Sequence, residues 1–335
     1  MRALVLDGEP GIDHLSVVDR PTVDPGPGQV AVTMRAASLN YRDLATVESP
    51  MIKARLPLVP LSDGCGVVSA IGPEVKRVAV GDRVAPLFFQ DWLGGEPTAQ
   101  LLAGALGGAL DGVARDQVVL NQNGVSKVPD VLSDEEAACL PCAGLTAWRA
   151  LMVEGKVKPG DVVLALGTGG VSIFALQFAK LAGATVIITS SSDEKLERAR
   201  ALGADHTINY RTDPEWARTA RGLTGGRGVD HVIEVGGAGT FQQSIQAVRV
   251  GGHVAVIGVL AGAVKDLNVA SIFAANVRVQ GISVGSREQF EAMGRAIQAN
   301  GLRPVIDRRF PLEDAQAAFR AMRAGEHFGK IVLEM

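Results

Sequence analysis

Asp161-Val162-Val163-Leu164-Ala165-Leu166-Gly167-Thr168-Gly169-Gly170-Val171-Ser172 is the stretch whose reading decides the fold. Its apolar run has the length of a buried strand, stops at three glycines, and is followed at once by a helix-competent segment, 173–181. Glycine lets the backbone turn sharply and lets its N–H groups approach a pyrophosphate, while the helix behind it presents its positive end to the same anion. A Gly-x-Gly turn also closes ordinary strand-to-helix junctions, so its meaning rests on what surrounds it. The third glycine of a Gly-x-Gly-x-x-Gly pattern is here Ser172, which predicts a slightly wider gap between helix and strand.

Downstream, strands and helices alternate. Strands are predicted at 161–166, 185–190, 206–210, 229–235, 253–259 and 277–284, with helices at 171–181, 193–202, 216–223 and 240–248. Six apolar strands spaced by helices or loops predict an α/β domain, a doubly wound, mostly parallel sheet with right-handed crossovers. Upstream, 134–151 has helical spacing, and Ser133 with Glu136 forms a capping box at its start.

The front half has another texture. Val-, Ile- and Leu-rich segments at 2–6, 15–19, 29–37, 64–71, 82–86 and 116–120 are separated by turns such as Pro25-Gly26-Pro27-Gly28 and Gly81-Asp82. Such runs predict a small antiparallel barrel or sandwich. The glycine-rich stretch 87–114, with Phe88, Phe89 and Trp92, reads as a long surface loop with a short helix near 99–106, shaping the mouth of a pocket. The tail, with helices at 288–299 and 312–324 and strands near 305–306 and 330–333, is expected to return to the first domain. The expected division is therefore 1–128, 129–284 and 285–335, with a small-molecule cleft between the two domains.

Composition bounds the function. The chain has 335 residues, 47% apolar and 21% charged, with a formal net charge of −3, which fits a soluble globular protein and gives no electrostatic reason for a nucleic-acid or anionic-membrane partner. The longest nearly apolar run, 254–264, is too short to cross a bilayer, and residues 1–7 carry no long apolar signal segment. Cys65, Cys139 and Cys142 are too few for a disulfide framework and fit a reducing compartment, so a cytoplasmic location is expected. Cys139-x-x-Cys142 has no second pair and reads as two small buried side chains. His14, His206, His231, His253 and His327 have no nucleophile or acid at catalytic spacing, and each reads as structural.

A binder of the unphosphorylated dinucleotide places an acid about 20 residues beyond the glycine turn. Here Thr189-Ser190-Ser191-Ser192 carries hydroxyls and no charge, and Lys195 follows one helical turn later, so a 2′-phosphate meets donors and a cation. NADPH is the expected cofactor, with Gly167, Thr168, Gly169, Gly170 and Val171 on the pyrophosphate and Ser190, Ser191, Lys195 and Tyr210 (or Arg211) on the phosphate. Ser190–Ser192 also serve as caps for the next helix, and both uses are compatible. Gly236, Gly258 and Val259, at the ends of the fourth and fifth strands, either admit ribose and nicotinamide or simply make tight turns.

The turn Gly167–Ser172, together with Leu202-Gly203-Ala204-Asp205, Leu39-Asn40-Tyr41-Arg42-Asp43, Gly64-Cys65-Gly66-Val67-Val68-Ser69-Ala70-Ile71-Gly72, Gly81-Asp82-Arg83-Val84 and Leu145-Thr146-Ala147-Trp148, resembles the medium-chain dehydrogenase/reductase superfamily over essentially the whole chain. The resemblance implies a Rossmann doubly wound parallel sheet plus a GroES-like antiparallel β-barrel domain. It also implies hydride transfer from a nicotinamide, a homodimer through the last Rossmann strand at 277–284, and Thr146 and Lys330, of Phe328-Gly329-Lys330, near the cofactor; an exposed lysine is the plainer view of Lys330.

Alcohol dehydrogenases of that superfamily hold a catalytic zinc, with Cys, His and Cys where this chain has Asn40, Ser62 and Cys142. The cysteines of a structural-zinc lobe are missing from 87–114. No metal is expected. Without a Lewis acid, hydride delivery to an already electrophilic carbon is the easier chemistry. The expectation is an NADPH-dependent, zinc-independent reductase of quinones or α,β-unsaturated carbonyls, with Asn40, Tyr41 and Asp43 facing the substrate. Tyr41 packed under the barrel, with Asp43 pairing Arg42 or a backbone amide, is the competing view. An alcohol dehydrogenase that uses a shared proton relay or a residual metal site involving Cys142 and Asp63, and a non-catalytic NADPH-binding protein, are the alternative functions.

Overall fold

The computed structural model describes residues 1–48, 56–260, 262 and 267–335. The front half supplies β1 (Arg2–Leu6), β2 (Leu15–Asp19), β3 (Gln29–Ser38), β4 (Asp63–Ile71), β5 (Arg83–Pro86), β6 (Gln117–Asn121) and β7 (Val125–Lys127). β3 is the hub. It pairs antiparallel with β4 from Val30↔Ile71 to Ser38↔Asp63 and with β6 from Gln29↔Asn121 to Thr33↔Gln117. Val30, Val32, Met34, Val68, Val84 and Val118 from these strands meet in one buried apolar cluster. Alternation of branched residues along short strands directs that packing.

Between β3 and β4 the chain forms α1 (Tyr41–Glu48), which the sequence reading leaves unassigned. Its start is fixed locally: the Asp43 carboxylate accepts the Asn40 N–H at 2.8 Å, half of a capping box. The stretch 87–114 departs from expectation in two ways. No helix forms near 99–106; turns and the isolated bridges Phe89↔Ala105 and Leu106↔Leu110 take its place, because Gly104, Gly107 and Gly108 interrupt any helical run. Phe88, Phe89 and Trp92 are also buried, at 7%, 6% and 1% exposure, so this part of the stretch packs inward and is not a solvent-facing loop. Arg42 anchors the loop from inside. Its guanidinium donates to Leu106 O (2.8 Å) and Gly107 O (3.0 Å) and lies 5.0 Å from the Phe88 ring centroid.

The expected helix over 134–151 is broken. α2 (Asp134–Ala138) carries the Ser133/Glu136 capping box, then a π-helical turn spans Leu140–Gly144, α3 covers Leu145–Trp148, and a second π-helical turn spans Arg149–Gly155. Pro141 cannot donate a backbone hydrogen bond, which favours a shift of register there.

A six-stranded parallel sheet follows, with β8 (Val162–Ala165), α4 (Gly170–Leu181), β9 (Thr185–Ser190), α5 (Asp193–Ala201), β10 (His206–Asn209), α6 (Trp216–Gly222), β11 (Val229–Glu234), α7 (Phe241–Ala247), β12 (Val248–Val256), α8 (Val269–Ala274) and β13 (Arg278–Gly281). Its order, β10-β9-β8-β11-β12-β13, reverses direction at β8, the arrangement that opens a crevice beyond the strand ends. Leu164, Ile187, Val232 and Val254 lie within its apolar core.

The tail adds α9 (Arg287–Asn300), β14 (Ile306–Pro311), α10 (Ala315–Ala324) and β15 (Lys330–Glu334). β15 pairs antiparallel with β3 from Ser38↔Val332 to Ala36↔Glu334, and β14 pairs parallel with β15. That one parallel pair departs from a wholly antiparallel barrel, because α10 supplies the crossover a parallel pair requires.

Two compact units result, Met1–Leu145 with Val284–Met335, and Thr146–Ser283. The first division falls at residue 145 and not at 128, since α2 packs on β3 and β4. Among the described residues no helix is long and apolar enough to cross a membrane.

Candidate active site

In the second unit the turn between β8 and α4 has the backbone its sequence asks for. Gly167 adopts φ +71°, the left-handed region where a side chain is strained. Gly169 is different. As the residue preceding α4 it has φ −77° and ψ −179°, which any residue can adopt, and a Cβ placed on it meets nothing within 4 Å. Nothing in this unit's own packing requires glycine there, whereas an anion seated on the helix N-terminus does. Ser172 explains the departure from the three-glycine pattern. It is 2% exposed, and its hydroxyl donates to Leu166 O at 2.6 Å, tying the first turn of α4 to the strand end. Thr168, Gly170 and Val171 lie in the same turn and first helical residues.

Beside it stands the tip of β9. Thr189 Oγ1 accepts the Gly167 N–H at 3.2 Å, Ser190 Oγ accepts the Ser192 N–H, and Ser192 Oγ caps α5 at the Lys195 N–H. The capping use of the serines is therefore real for Ser192, while Ser190 holds the turn that leads into it. Ser191 and Lys195 are half-buried, and Tyr210 is 42% exposed, one residue beyond β10, with its N–H on Ser190 O. No carboxylate occurs between 189 and 192, and the first acid, Asp193, accepts from Asn209 Nδ2 at 2.7 Å.

At the end of β11, Glu234 is fully buried and accepts from the Gly236 N–H (2.7 Å), the Gly237 N–H (3.0 Å), the Thr240 hydroxyl (2.6 Å) and the Ser244 hydroxyl. It holds the turn that carries Gly236. Sequence reading quoted Glu234 only as part of a glycine motif, because a carboxylate beside glycines carries no sign of the four donors folded around it. Gly258 lies against β11, where an added Cβ would stand 2.5 Å from Val235 O, so glycine there serves close backbone packing. Val259 is 56% exposed. Thr146 is buried on α3.

In the first unit, the end of β3, the start of α1, the start of β4 and the start of β15 bring together Asn40, Asp43, Ser62, Asp63 and Lys330, all buried, together with Cys142. Lys330 is 3% exposed, which removes the view of it as a surface lysine. Its ammonium donates to Leu39 O (2.5 Å) and Asn40 Oδ1 (2.6 Å). Lysine can only donate, so the Asn40 atom facing it must be the oxygen, and Asn40 Nδ2 points elsewhere. That nitrogen is buried and without a hydrogen-bond partner among the described residues. Asp43 accepts from Arg42 Nη1 (3.1 Å) and the Asn40 N–H, the brace that the competing view described. Tyr41 is half exposed, not packed beneath the sheet. Asp63, which sequence reading raised only for a residual metal site, accepts from Ser62 Oγ (2.6 Å) and the Cys142 N–H (2.8 Å). Burial raises its carboxyl to about 6 against the opposing pull of Lys330 and Ser62, and burial likewise raises Asp43 against Arg42.

These residues do not suit zinc. Asn40 Oδ1 is already committed to an ammonium and Ser62 to Asp63, and an amide and a hydroxyl are poor substitutes for the Cys and His that zinc prefers. Among the described residues no group of three or more His, Cys, Asp or Glu is arranged to hold a metal ion. The glycine turn, by contrast, suits a dinucleotide.

Two family models match the chain: Alcohol dehydrogenase GroES-like domain over residues 26–130 and Zinc-binding dehydrogenase over residues 170–299. A zinc-type alcohol dehydrogenase-like protein of Schizosaccharomyces pombe is 43% identical over 100% of this chain and 99% of its own. Among solved structures, an NAD-dependent alcohol dehydrogenase is 38% identical, with TM-score 0.90 and full coverage of both chains. A mycobacterial protein complexed with NADPH is 29% identical, with TM-score 0.83 and full coverage of both. The chain belongs to the medium-chain dehydrogenase/reductase superfamily and is a nucleotide-dependent oxidoreductase built from a GroES-like β-barrel unit and a Rossmann unit.

Proposed function

We propose that the protein is an NADPH-dependent reductase that delivers hydride to a quinone or an α,β-unsaturated carbonyl without a metal. The observation that carries the reading is Asn40: its oxygen is bound by Lys330, so its buried, unpartnered Nδ2 is left to donate to a substrate oxygen. A donor held in a dry site and aimed at a developing oxyanion is the main requirement when the acceptor carbon is already electrophilic. Asp43 holds the Asn40 backbone and Arg42, and Tyr41 offers a half-exposed phenol beside them. The dinucleotide, when bound, supplies the hydride. On the Rossmann side, Gly167 and Gly169 leave room for its pyrophosphate, and the uncharged strand tip with Ser191 and Lys195 favours the 2′-phosphate.

The second reading, an alcohol–aldehyde couple, draws on the name of the fission-yeast relative. NADPH and NADH oxidation with quinones, enones and aldehydes, and NADP⁺ reduction with alcohols, on protein of measured metal content, separate the two. Turnover that needs stoichiometric zinc would sink the first. We further propose a cytoplasmic homodimer. The three cysteines are free thiols, and β13 ends the sheet with Val279 at 37% and nearby Phe273 at 82% exposure. A monomer by light scattering would refute the dimer.

A further inference from the structure

A buried ammonium is uncommon and carries a heavy cost of lost hydration unless its surroundings compensate. Lys330 meets that cost in an unusual way. Among the described residues it makes no direct ion pair; its two acceptors are the neutral oxygens of Leu39 and Asn40. Two buried carboxylates stand in the same cluster, yet each is engaged by other donors, Asp43 by Arg42 and the Asn40 N–H, Asp63 by Ser62 and the Cys142 N–H. They feel Lys330 through space, since its charge pulls both carboxyls toward ionisation. A neutral donor would satisfy Asn40 Oδ1 equally well, so the hydrogen bond alone does not account for a charged side chain in this place. Two of the three ammonium N–H bonds are taken, and the amide they orient ends in an unpartnered NH₂.

We propose that Lys330 is the resident cation of the barrel site, a positioning residue whose ammonium locks the Asn40 amide with Nδ2 toward the substrate and places a positive charge behind the oxygen that becomes negative as hydride arrives. The charge passes to the substrate oxygen through the polarised Asn40 amide, with no proton leaving Lys330. This deepens the functional reading above and rests on the barrel cluster being the substrate site.

Three measurements test it. In protein labelled with ¹⁵N-lysine, the Lys330 ammonium, identified by its loss in Lys330→Met, should give a resonance near neutral pH that exchanges more slowly than surface lysines. A neutral amine, or exchange as fast as the surface, overturns the proposal whether or not any substrate is known. With the best acceptor found for the wild type, Lys330→Met should lower kcat about 100-fold, the scale for loss of an oxyanion donor, while the Kd for NADPH stays within about twofold. A weakened Kd with kcat retained would make Lys330 a cofactor anchor and end the proposal. In Lys330→Ala, ethylammonium should restore at least about tenfold of the lost kcat; no recovery, or equal recovery with a neutral amide of the same size, also overturns it. A wild type that turns over no acceptor fails the functional reading itself, which the resonance of the ammonium distinguishes from failure of the cation.

Discussion

Replacing Ser172 by glycine restores the strict Gly-x-Gly-x-x-Gly spacing, and the structure says that it should make the protein worse. The Ser172 hydroxyl is 2% exposed and bonds Leu166 O at 2.6 Å, across the junction of β8 and α4. Its loss removes a buried hydrogen bond worth about 1 kcal/mol net. Glycine in the first turn of α4 adds about 0.5 kcal/mol relative to serine. The sum, about 1.5 kcal/mol, is roughly a tenfold shift of the unfolding equilibrium. Ser172→Ala loses the same bond but gains helix propensity, so it should fall between wild type and Ser172→Gly. The assay is urea unfolding followed by tryptophan fluorescence in a Trp92→Phe background, where the remaining tryptophans, Trp148 and Trp216, both report on the Rossmann unit. A Ser172→Gly variant as stable as the wild type, or one binding NADPH more tightly, would refute the view that this hydroxyl replaces the close approach that glycine permits elsewhere.

Gly169→Ala should leave unfolding of the free protein within about 0.5 kcal/mol, because the added methyl meets no neighbour, while weakening NADPH at least about tenfold; a stability loss without an affinity loss would contradict the anion site. Lys195→Ala should raise KM for NADPH about tenfold, near 1.4 kcal/mol, and leave NADH almost unchanged; equal effects on both cofactors contradict a phosphate contact. His253 is 2% exposed with both ring nitrogens unpartnered among the described residues, and burial, beside Arg278 and His231, lowers it to about 3. The unfolded chain, with a histidine of ordinary pKa, therefore binds the extra proton as pH falls from about 6.5 toward 3, and stability present above that window is lost through it at up to about 1.4 kcal/mol per pH unit. Asp63, raised to about 6, works in the opposite sense near the same window, so the measurement is the difference between wild type and His253→Gln, which should be less acid-sensitive by close to one proton. Parallel stability–pH curves for the two proteins would contradict the buried neutral imidazole.

Elements with a strong local signal are legible in the sequence. β9 has the predicted bounds, and β8 and β10 fall within a residue or two, because a continuous branched run ended by glycine or polar residues has few other outcomes. α8 escaped because none of its residues is buried, so it carries no apolar stripe. β12 starts at Val248, where Gly251-Gly252 reads as a turn; the Arg249 guanidinium on Asp230, at 2.5 Å, helps hold the early strand. At the site, the glycine turn and the hydroxyl-rich strand tip are contiguous in sequence and therefore visible. The barrel cluster is not. Lys330 meets Asn40 across 290 residues and Asp63 meets Cys142 across 79, and no spacing rule links groups that only the topology brings together. The sequence marks out Asn40 and Lys330 singly but not their contact, and it points to Asp63 only as a metal ligand.

The pairing of β15 with β3 sets an order for synthesis. All of Thr146–Ser283 leaves the ribosome before β15 does, so the parallel sheet is free to form while the upper edge of β3, from Ala36 to Ser38, still waits for its partner. During that interval the nascent barrel exposes unpaired backbone and the Leu39 and Asn40 acceptors that Lys330 will fill. An incomplete translation product would thus carry a finished nucleotide fold and an adhesive, unfinished barrel, and it is the second property that a cell's chaperones would have to handle.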